Sequence, residues 1–357
     1  MKDAGHRECV EAALNHEKTD RIPVNNFVLA TAARSAGMTV DKARWDPKIS
    51  AKVSVDHAIK TKSDFVKPVL DSQVPFMDLG MEVRFPEDDY GQILKPIAED
   101  AEHIDQLAFF DPEKASECPN FQKVFVEALE ETSRIIPEDL HICGLSWGPI
   151  TTSGYIMGVE NMVMGILMDP DMVKNLQKKV TPFVSAIQRR MIDAGATVMW
   201  MADPTSSEDL ISPAMFHEFS APYITDIVKD VNNMDSSIPT FVHICGNTLE
   251  ILKEMPETGA DCLSFDHAVD PSKAKITAGN RISIMGNIDP VRTMMMGDPD
   301  SIKRACYDVI DAAGQNGGFI LAPGCETPIS TSDENVLAMG DAARTYWADR
   351  ARAGNLY

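Results

Sequence analysis

Three side chains in this sequence have the chemistry and the placing to hold one metal ion. Phe241-Val242-His243-Ile244-Cys245-Gly246-Asn247 is a short apolar run that carries an imidazole and a thiol two residues apart and stops at a Gly-Asn turn. Side chains two apart on a strand point to the same face, so His243 and Cys245 can reach one ion together. A third soft ligand follows a later apolar run, Gly318-Phe319-Ile320-Leu321-Ala322-Pro323-Gly324, which stops at Cys325. One imidazole and two thiols leave a tetrahedral Zn2+ with an open fourth position, the catalytic rather than the structural arrangement. A free thiol, with pKa ~8.5, is mostly protonated at neutral pH, and coordination removes the proton. Such a site would turn a bound thiol into a nucleophile.

Taken singly, a His-x-Cys pair is weak, because apolar strands often bury cysteine. The chain supplies its own control in His141-Ile142-Cys143-Gly144. That copy reads as structural, since Leu145-Ser146-Trp147-Gly148 follows and offers no third ligand. Cys325, with Asn247 as an orienting group, is what sets the later pair apart. Cys9, Cys118, Cys262 and Cys306 read as inert. Ser146 stands two residues before Gly148, but Pro149 follows at once. A turn without a helix is expected there, which argues against a nucleophile elbow.

The elements that must position the three ligands can be read from punctuation and pattern. Asp46-Pro47, Asp169-Pro170, Ser212-Pro213 and Asp298-Pro299 are each a capping residue followed by proline at the first helical position. The helix after Asp169 should bend or divide at Pro182, and Thr331 to Glu334 spells a capping box for the last helix. Between the helices lie eight short apolar runs: 20–27, 64–70, 141–145, 196–202, 241–245, 261–265, 281–285 and 318–324. Alternating strands and helices argue for a parallel sheet, and eight units for a closed (β/α)8 TIM barrel of the α/β class. No Gly-x-Gly-x-x-Gly follows the first run to support an open doubly wound sheet. A helical N-terminal extension (Met1 to Leu14) and an irregular insertion over 72–111, with a hairpin around Met81–Phe85, complete a single domain, 1–357. Barrel chemistry collects where strands end at the C-terminal face. Those ends carry Asp71, Asp203, His243 with Cys245, Asp266 with His267, Asn287 with Asp289, and Cys325. Asp71, Asp203, Asn247, Asp266 and Asn287 are therefore expected to bind substrate around the metal.

Bulk properties narrow the classes of partner. A net charge of −21 over 357 residues repels nucleic acid and anionic membranes. No run approaches the ~18 apolar residues of a spanning helix, and Asp3, His6, Arg7 and Glu8 do not suit a signal peptide. Seven scattered cysteines do not form a disulfide framework, so a reduced, cytoplasmic protein is expected. The 20 methionines, Met294-Met295-Met296 among them, read as adaptable packing. Oligomeric state is not legible.

With these residues in view, the chain resembles the uroporphyrinogen decarboxylase superfamily over nearly its full length. Lys18-Thr19-Asp20-Arg21-Ile22-Pro23-Val24, Leu79-Gly80-Met81-Glu82-Val83, Gly148-Pro149-Ile150-Thr151 and Gly286-Asn287-Ile288-Asp289-Pro290 carry the likeness. His243-Ile244-Cys245-Gly246-Asn247, Leu321-Ala322-Pro323-Gly324-Cys325, and Ala202-Asp203-Pro204 through Asp209-Leu210-Ile211-Ser212-Pro213 are similar to the zinc-dependent methylcobamide:coenzyme M methyltransferase branch. The resemblance implies a (β/α)8 barrel whose zinc, on His243, Cys245 and Cys325, activates a sulfur or oxygen nucleophile. It further implies methyl transfer between methylcobalamin, or another corrinoid presented by a carrier protein, and a small thiol such as coenzyme M. Other members move methyl groups from methanol, methylamines, chloromethane or aryl methyl ethers to the corrinoid. A non-catalytic zinc-binding scaffold is the reading from a different class. The decarboxylases hold substrate carboxylates with an Arg-rich segment near the N-terminus, where this chain has only Arg34. Asp71 falls near their catalytic aspartate, and Cys325 stands where they carry a late His-Gly.

Overall fold

The structure, a computed structural model, describes residues 5–137 and 139–354. Nine strands are assigned among them: β1 (Phe65–Val66), β2 (Val83–Arg84), β3 (Gln92–Ile93), β4 (His141–Trp147), β5 (Val198–Ala202), β6 (Thr240–Ile244), β7 (Cys262–Phe265), β8 (Ser283–Ile288) and β9 (Phe319–Pro323). Seven form one parallel sheet in the order β1-β4-β5-β6-β7-β8-β9. Its strands β5 to β9 are buried at every position, which explains why they read as continuous apolar runs rather than alternating ones.

The eighth position is filled by residues 22–25. Val24 bridges Leu321 of β9 in parallel, with Asn25 N–H donating to the Leu321 carbonyl (2.9 Å) and Leu321 N–H to that of Pro23 (2.9 Å). On the other side Asp64 N–H donates to the Val24 carbonyl at 2.9 Å. The barrel is closed there by one buried carboxylate. Asp64 accepts from both terminal nitrogens of Arg21 (2.9 and 2.6 Å), from Val24 N–H (2.7 Å), and lies 2.6 Å from His6 Nδ1. Burial alone would push this carboxyl up, but the hydrogen bonds from His6, Arg21 and Val24 outweigh it and hold it below its ordinary value of 3.8. A depressed folded-state value means the stabilisation is complete above the ordinary value and disappears as pH falls through the depressed one. Asp64→Asn is accordingly expected to lower the urea midpoint at neutral pH and to flatten its acid dependence below about pH 4. An unchanged acid slope in the variant would count against this assignment.

Helix starts follow the sequence signals. Asp46 accepts from Lys48 and Ile49 N–H, Asp169 from Met172, Ser212 from Met215 and Asp298 from Ser301. Helix 170–193 runs unbroken through Pro182, because Val173, Leu176, Val180, Phe183, Ile187 and Met191 are buried along its whole length. Each such side chain contributes ~1.5–3 kcal/mol, against ~3 kcal/mol for an interior proline. After Ser212 there are two helices, Pro213–Phe219 and Ala221–Met234, with the break at Ser220, since Pro222 has no N–H for the Glu218 carbonyl and its ring would clash there in a continuous helix. The last helix, Asp333–Arg352, is capped by Ser332 and not by Thr331, because Thr331 is fully buried and its carbonyl receives Arg34. The second apolar run yields only the two-residue β1; Pro68 lacks the N–H that would extend the ladder. Within 72–111 the expected hairpin exists as antiparallel β2 and β3, flanked by helices Val74–Asp78 and Ala101–Gln106. The N-terminal helix begins at His6; residues 1–4 of that expectation lie outside the described residues. Among the described residues no helix is long and apolar enough to cross a membrane.

Candidate metal centre

His243 is the fourth residue of β6, in register with Ser264 on β7. That register places the Ser264 hydroxyl 3.0 Å from His243 Nδ1. The other ring nitrogen, Nε2, is buried and has no hydrogen-bond partner. An orphaned imidazole nitrogen is costly unless something fills the space it faces. What it faces is sulfur: ligand atoms of His243, Cys245 and Cys325 all lie within 4.8 Å of one another.

Two close backbone approaches bring the thiols in. Beyond Cys245 the chain turns at Gly246 (φ +77), where a Cβ would meet the Asp209 carboxylate. Before Cys325, Gly324 lies so near His267 that a Cβ would be 2.4 Å from its backbone nitrogen. The Cys325 thiol hydrogen-bonds to Cys245, which pulls Cys245 below the ordinary thiol value. The same bond, with burial, pushes Cys325 up. Two neighbouring sulfurs beside an imidazole nitrogen with no hydrogen-bond partner form a donor set suited to a soft-to-borderline dication such as zinc.

The earlier tetrapeptide shows the contrast. His141 starts β4 at the opposite end of the barrel, 3.2 Å from Thr197 Oγ1 and stacked on Phe65. Burial lowers its imidazole to about 4 and raises the Cys143 thiol to about 12. Directly after β4 comes helix Pro149–Met157, so the helix not expected at Pro149 does form. Ser146 nonetheless accepts from Gln188 Nε2 (2.9 Å) on helix 170–193, with no histidine beside it.

The five polar residues expected around the metal are engaged elsewhere, and none lines the cavity onto which the trio opens. Asp71 accepts from Arg44 Nε (2.8 Å), Gly91 N–H (2.8 Å) and Gln73 N–H (3.0 Å). Asp203 takes Thr151 N–H and the Ser206 hydroxyl, both at 2.7 Å. Asn247 is exposed, and its side-chain Oδ1 accepts from Leu249 N–H (3.3 Å). Asp266 accepts from Ala268 N–H (2.9 Å) and pairs with His267 Nδ1 (2.7 Å). Asn287 donates to the carbonyls of Asp266 (3.0 Å) and Val269 (2.7 Å). A carboxylate at a strand end can cap its own loop, and here the loops take them.

The cavity has a volume of about 240 Å³, and His243, Cys245 and Cys325 are part of its wall. Tyr90 accepts from Ala30 N–H at 3.0 Å and donates to Glu326. Burial raises the Glu326 carboxyl to about 7, against the opposing pull of the Tyr90 hydroxyl. Lys67 lies against the same wall, its Nζ 3.4 Å from the Trp200 ring centre and 3.9 Å from that of Phe27. Burial lowers it to about 8. Sequence reading missed Ser264, Tyr90, Glu326 and Lys67. Glu326 alone left a trace, as the residue after Cys325.

Ser264→Ala should remove the group that orients the His243 ring while leaving the three ligands. Loss of such an outer partner typically costs 10–100-fold in metal affinity, and that loss is the expected result in a chelator competition. Affinity within twofold of the parent would contradict it.

Residues 6–346 match the Uroporphyrinogen decarboxylase (URO-D) family, and the chain belongs to that family. It is 26% identical to the methylated-thiol–coenzyme M methyltransferase of Methanosarcina mazei, over 92% of this chain and 86% of that one. It is 30% identical to the methylcobamide:CoM methyltransferase MtbA of Methanosarcina acetivorans, over 62% of this chain and 63%, under two thirds, of the relative. A uroporphyrinogen decarboxylase of Crocosphaera subtropica is 25% identical over 84% of this chain and 82% of its own. The solved structure of a methyltransferase from Methanosarcina mazei superposes with a TM-score of 0.82 at 23% identity, covering 97% of this chain and 100% of that chain. The last comparison bears on the barrel fold.

Proposed function

We propose that this protein is a zinc-dependent methyltransferase that moves a methyl group between a corrinoid, held by a carrier protein, and a small thiol. The observation that carries the reading is the convergence of His243, Cys245 and Cys325 within 4.8 Å at the cavity wall. The names of the methyltransferase relatives, with coenzyme M or methylcobamide in them, support the reaction class. When bound, zinc would supply a Lewis acid that takes up the substrate sulfur as thiolate at neutral pH.

The chain's own residues have separable tasks in this scheme. Cys245 and Cys325 would hold the ion as thiolates, each protonated thiol releasing its own proton to solvent, and His243 would offer Nε2 while Ser264 fixes the ring through Nδ1. The aromatic wall keeps water from the sulfur and orients the small substrate, so positioning supplies a large part of the rate. At about 240 Å³ the cavity is smaller than the ~300–1,000 Å³ clefts that enclose drug-sized ligands. A corrinoid macrocycle would therefore stay at the mouth and present only its methyl group. The demethylating direction, from a small methylated compound to the corrinoid, uses the same site.

Decarboxylation of a porphyrinogen fits less well. Its carboxylates need cations, and Arg34 is bonded to the Thr331 carbonyl (2.6 Å) and Asp333 (3.2 Å). The test is to mix zinc-loaded protein with free methylcobalamin and a panel of thiols and to follow the cobalt spectrum. Thiol-dependent demethylation is expected; a scaffold would give none, and its absence across the panel would overturn the proposal.

A further inference from the structure

We infer that Lys67 is an electrostatic positioning residue, whose ammonium makes the metal centre hold a thiolate in preference to an uncharged sulfur. The inference deepens the methyl-transfer reading and rests on it for the charge of the substrate sulfur. Lys67 directly follows β1 and is buried. Its Nζ has no hydrogen-bond partner and rests on two rings, Trp200 at 3.4 Å and Phe27 at 3.9 Å. Both rings line the cavity, and both pack against the His243 imidazole, at 6.0 and 5.0 Å between ring centres. The ammonium and the metal-binding imidazole thus share two aromatic neighbours. Cation–π contact replaces only part of the water that an ammonium gives up on burial. An under-solvated charge beside a cavity marks a functional group.

The charge count at the centre gives that group its task. With Zn2+ in place, the thiolates of Cys245 and Cys325 cancel the charge of the ion, and a substrate thiolate adds one negative charge in excess. Among the described residues lining the cavity there is no lysine or arginine, and the one carboxyl is that of Glu326, bonded to Tyr90. Lys67 is the cation whose field reaches this place. The groups it interacts with electrostatically are Cys143, Glu326 and Cys325, and of these Cys143 is a buried thiol raised to about 12, which stays neutral. Burial lowers Lys67 only to about 8, so it is charged at neutral pH. In methyl transfer the sulfur enters as a thiolate, its proton released to solvent. Once the sulfur–carbon bond has formed, and the electron pair of the broken cobalt–carbon bond has stayed with cobalt, the product is an uncharged thioether. A nearby ammonium attracts the first and not the second, so it retains substrate without retaining product.

The test reads ligand binding on the whole protein reconstituted with Co2+, whose thiolate charge-transfer band reports a bound sulfur where d10 zinc is silent. Wild type and Lys67→Met are titrated with ethanethiol and with 1-methylimidazole, a neutral donor. Ethanethiol has no charged tail, so Lys67 can act only on its sulfur. Lys67→Met is expected to weaken ethanethiol on the order of 10-fold, the effect of one nearby unit charge at an effective dielectric of about 20. Binding of 1-methylimidazole should stay within about twofold. Methionine matches the lysine stem, and the change removes a buried charge, so metal uptake and the urea midpoint should hold. Equal weakening of both ligands, unchanged affinity for ethanethiol, or a lowered urea midpoint with loss of metal makes Lys67 a structural residue and overturns the inference. In the transfer assay the variant should raise KM for the thiol more than it lowers kcat. The two proposals fail separately. If methyl transfer is wrong, methylcobalamin stays intact while the contrast between the two ligands stands; if the role of Lys67 is wrong, transfer proceeds and the contrast is missing.

Discussion

Cys325→Ala is expected to lose the zinc proposed for this site and, with it, thiol-dependent demethylation of methylcobalamin. Four-ligand zinc sites have apparent binding energies of ~10–16 kcal/mol. One thiolate is then worth roughly 3 kcal/mol, or ~100-fold in affinity, so ordinary dialysis against a chelator should strip the variant. The fold should survive. Cys325 sits two residues past β9 and is only partly buried, so the stability change should stay within about 1 kcal/mol. Metal content by elemental analysis and the cobalt spectrum together check the result. A variant that keeps a full complement of zinc yet transfers no methyl group would mean that Cys325 acts on substrate and is not a ligand. His243→Ala should behave alike, because it removes the buried nitrogen that has no other partner.

The second large effect is on stability. Asp71 and Arg44 have side chains with 0% exposure, joined at 2.8 Å. Burial pushes the Asp71 carboxyl up despite the guanidinium beside it, which shows how much desolvation this pair has to overcome. Removing one partner of a buried pair typically costs ~3–5 kcal/mol, and here the guanidinium would keep only the partly exposed Asp41 carboxylate, 2.9 Å from its other side, which places the cost toward the lower end. Asp71→Ala should fall in that range in urea unfolding. The double variant Asp71→Leu with Arg44→Met should recover part of the loss, giving a strong coupling in the double-mutant cycle. Additive single effects would remove the pair from the account. A functional consequence is expected as well. Asp71 holds Gly91 and Gln73, the neighbours of Tyr90 and Ser72 on the cavity wall. Asp71→Asn, which keeps an acceptor oxygen, should raise KM more than it lowers kcat; a direct chemical role would do the reverse.

Parts of the fold and site were legible for a local reason. Strands buried on both faces appear as apolar runs, Asp-Pro and Ser-Pro pairs mark helix starts, and a two-residue spacing puts His243 and Cys245 on one face. Elsewhere local pattern was overruled. Pro182 sits in an uninterrupted helix because six buried side chains outweigh it, and the helix after Ser212 breaks at Ser220, just ahead of a second proline that the pattern alone did not weigh. The strand-end carboxylates illustrate the harder limit. Asp203 and Asp71 look alike as polar residues closing apolar runs, and whether they face a substrate or cap a neighbouring loop depends on where that loop goes.

The sequence by itself determined the alternation that builds the barrel and pointed to the three donors of the candidate metal centre, since strand pattern, residue type and position at a strand end carry both. Only the tertiary structure decided that segment 22–25 closes the barrel through Asp64, that Ser264 steadies His243, and that Tyr90, Glu326 and Lys67 shape the cavity. Those relations join residues from tens to hundreds of positions apart. They are created by strand register and loop packing, which no local pattern in the chain encodes.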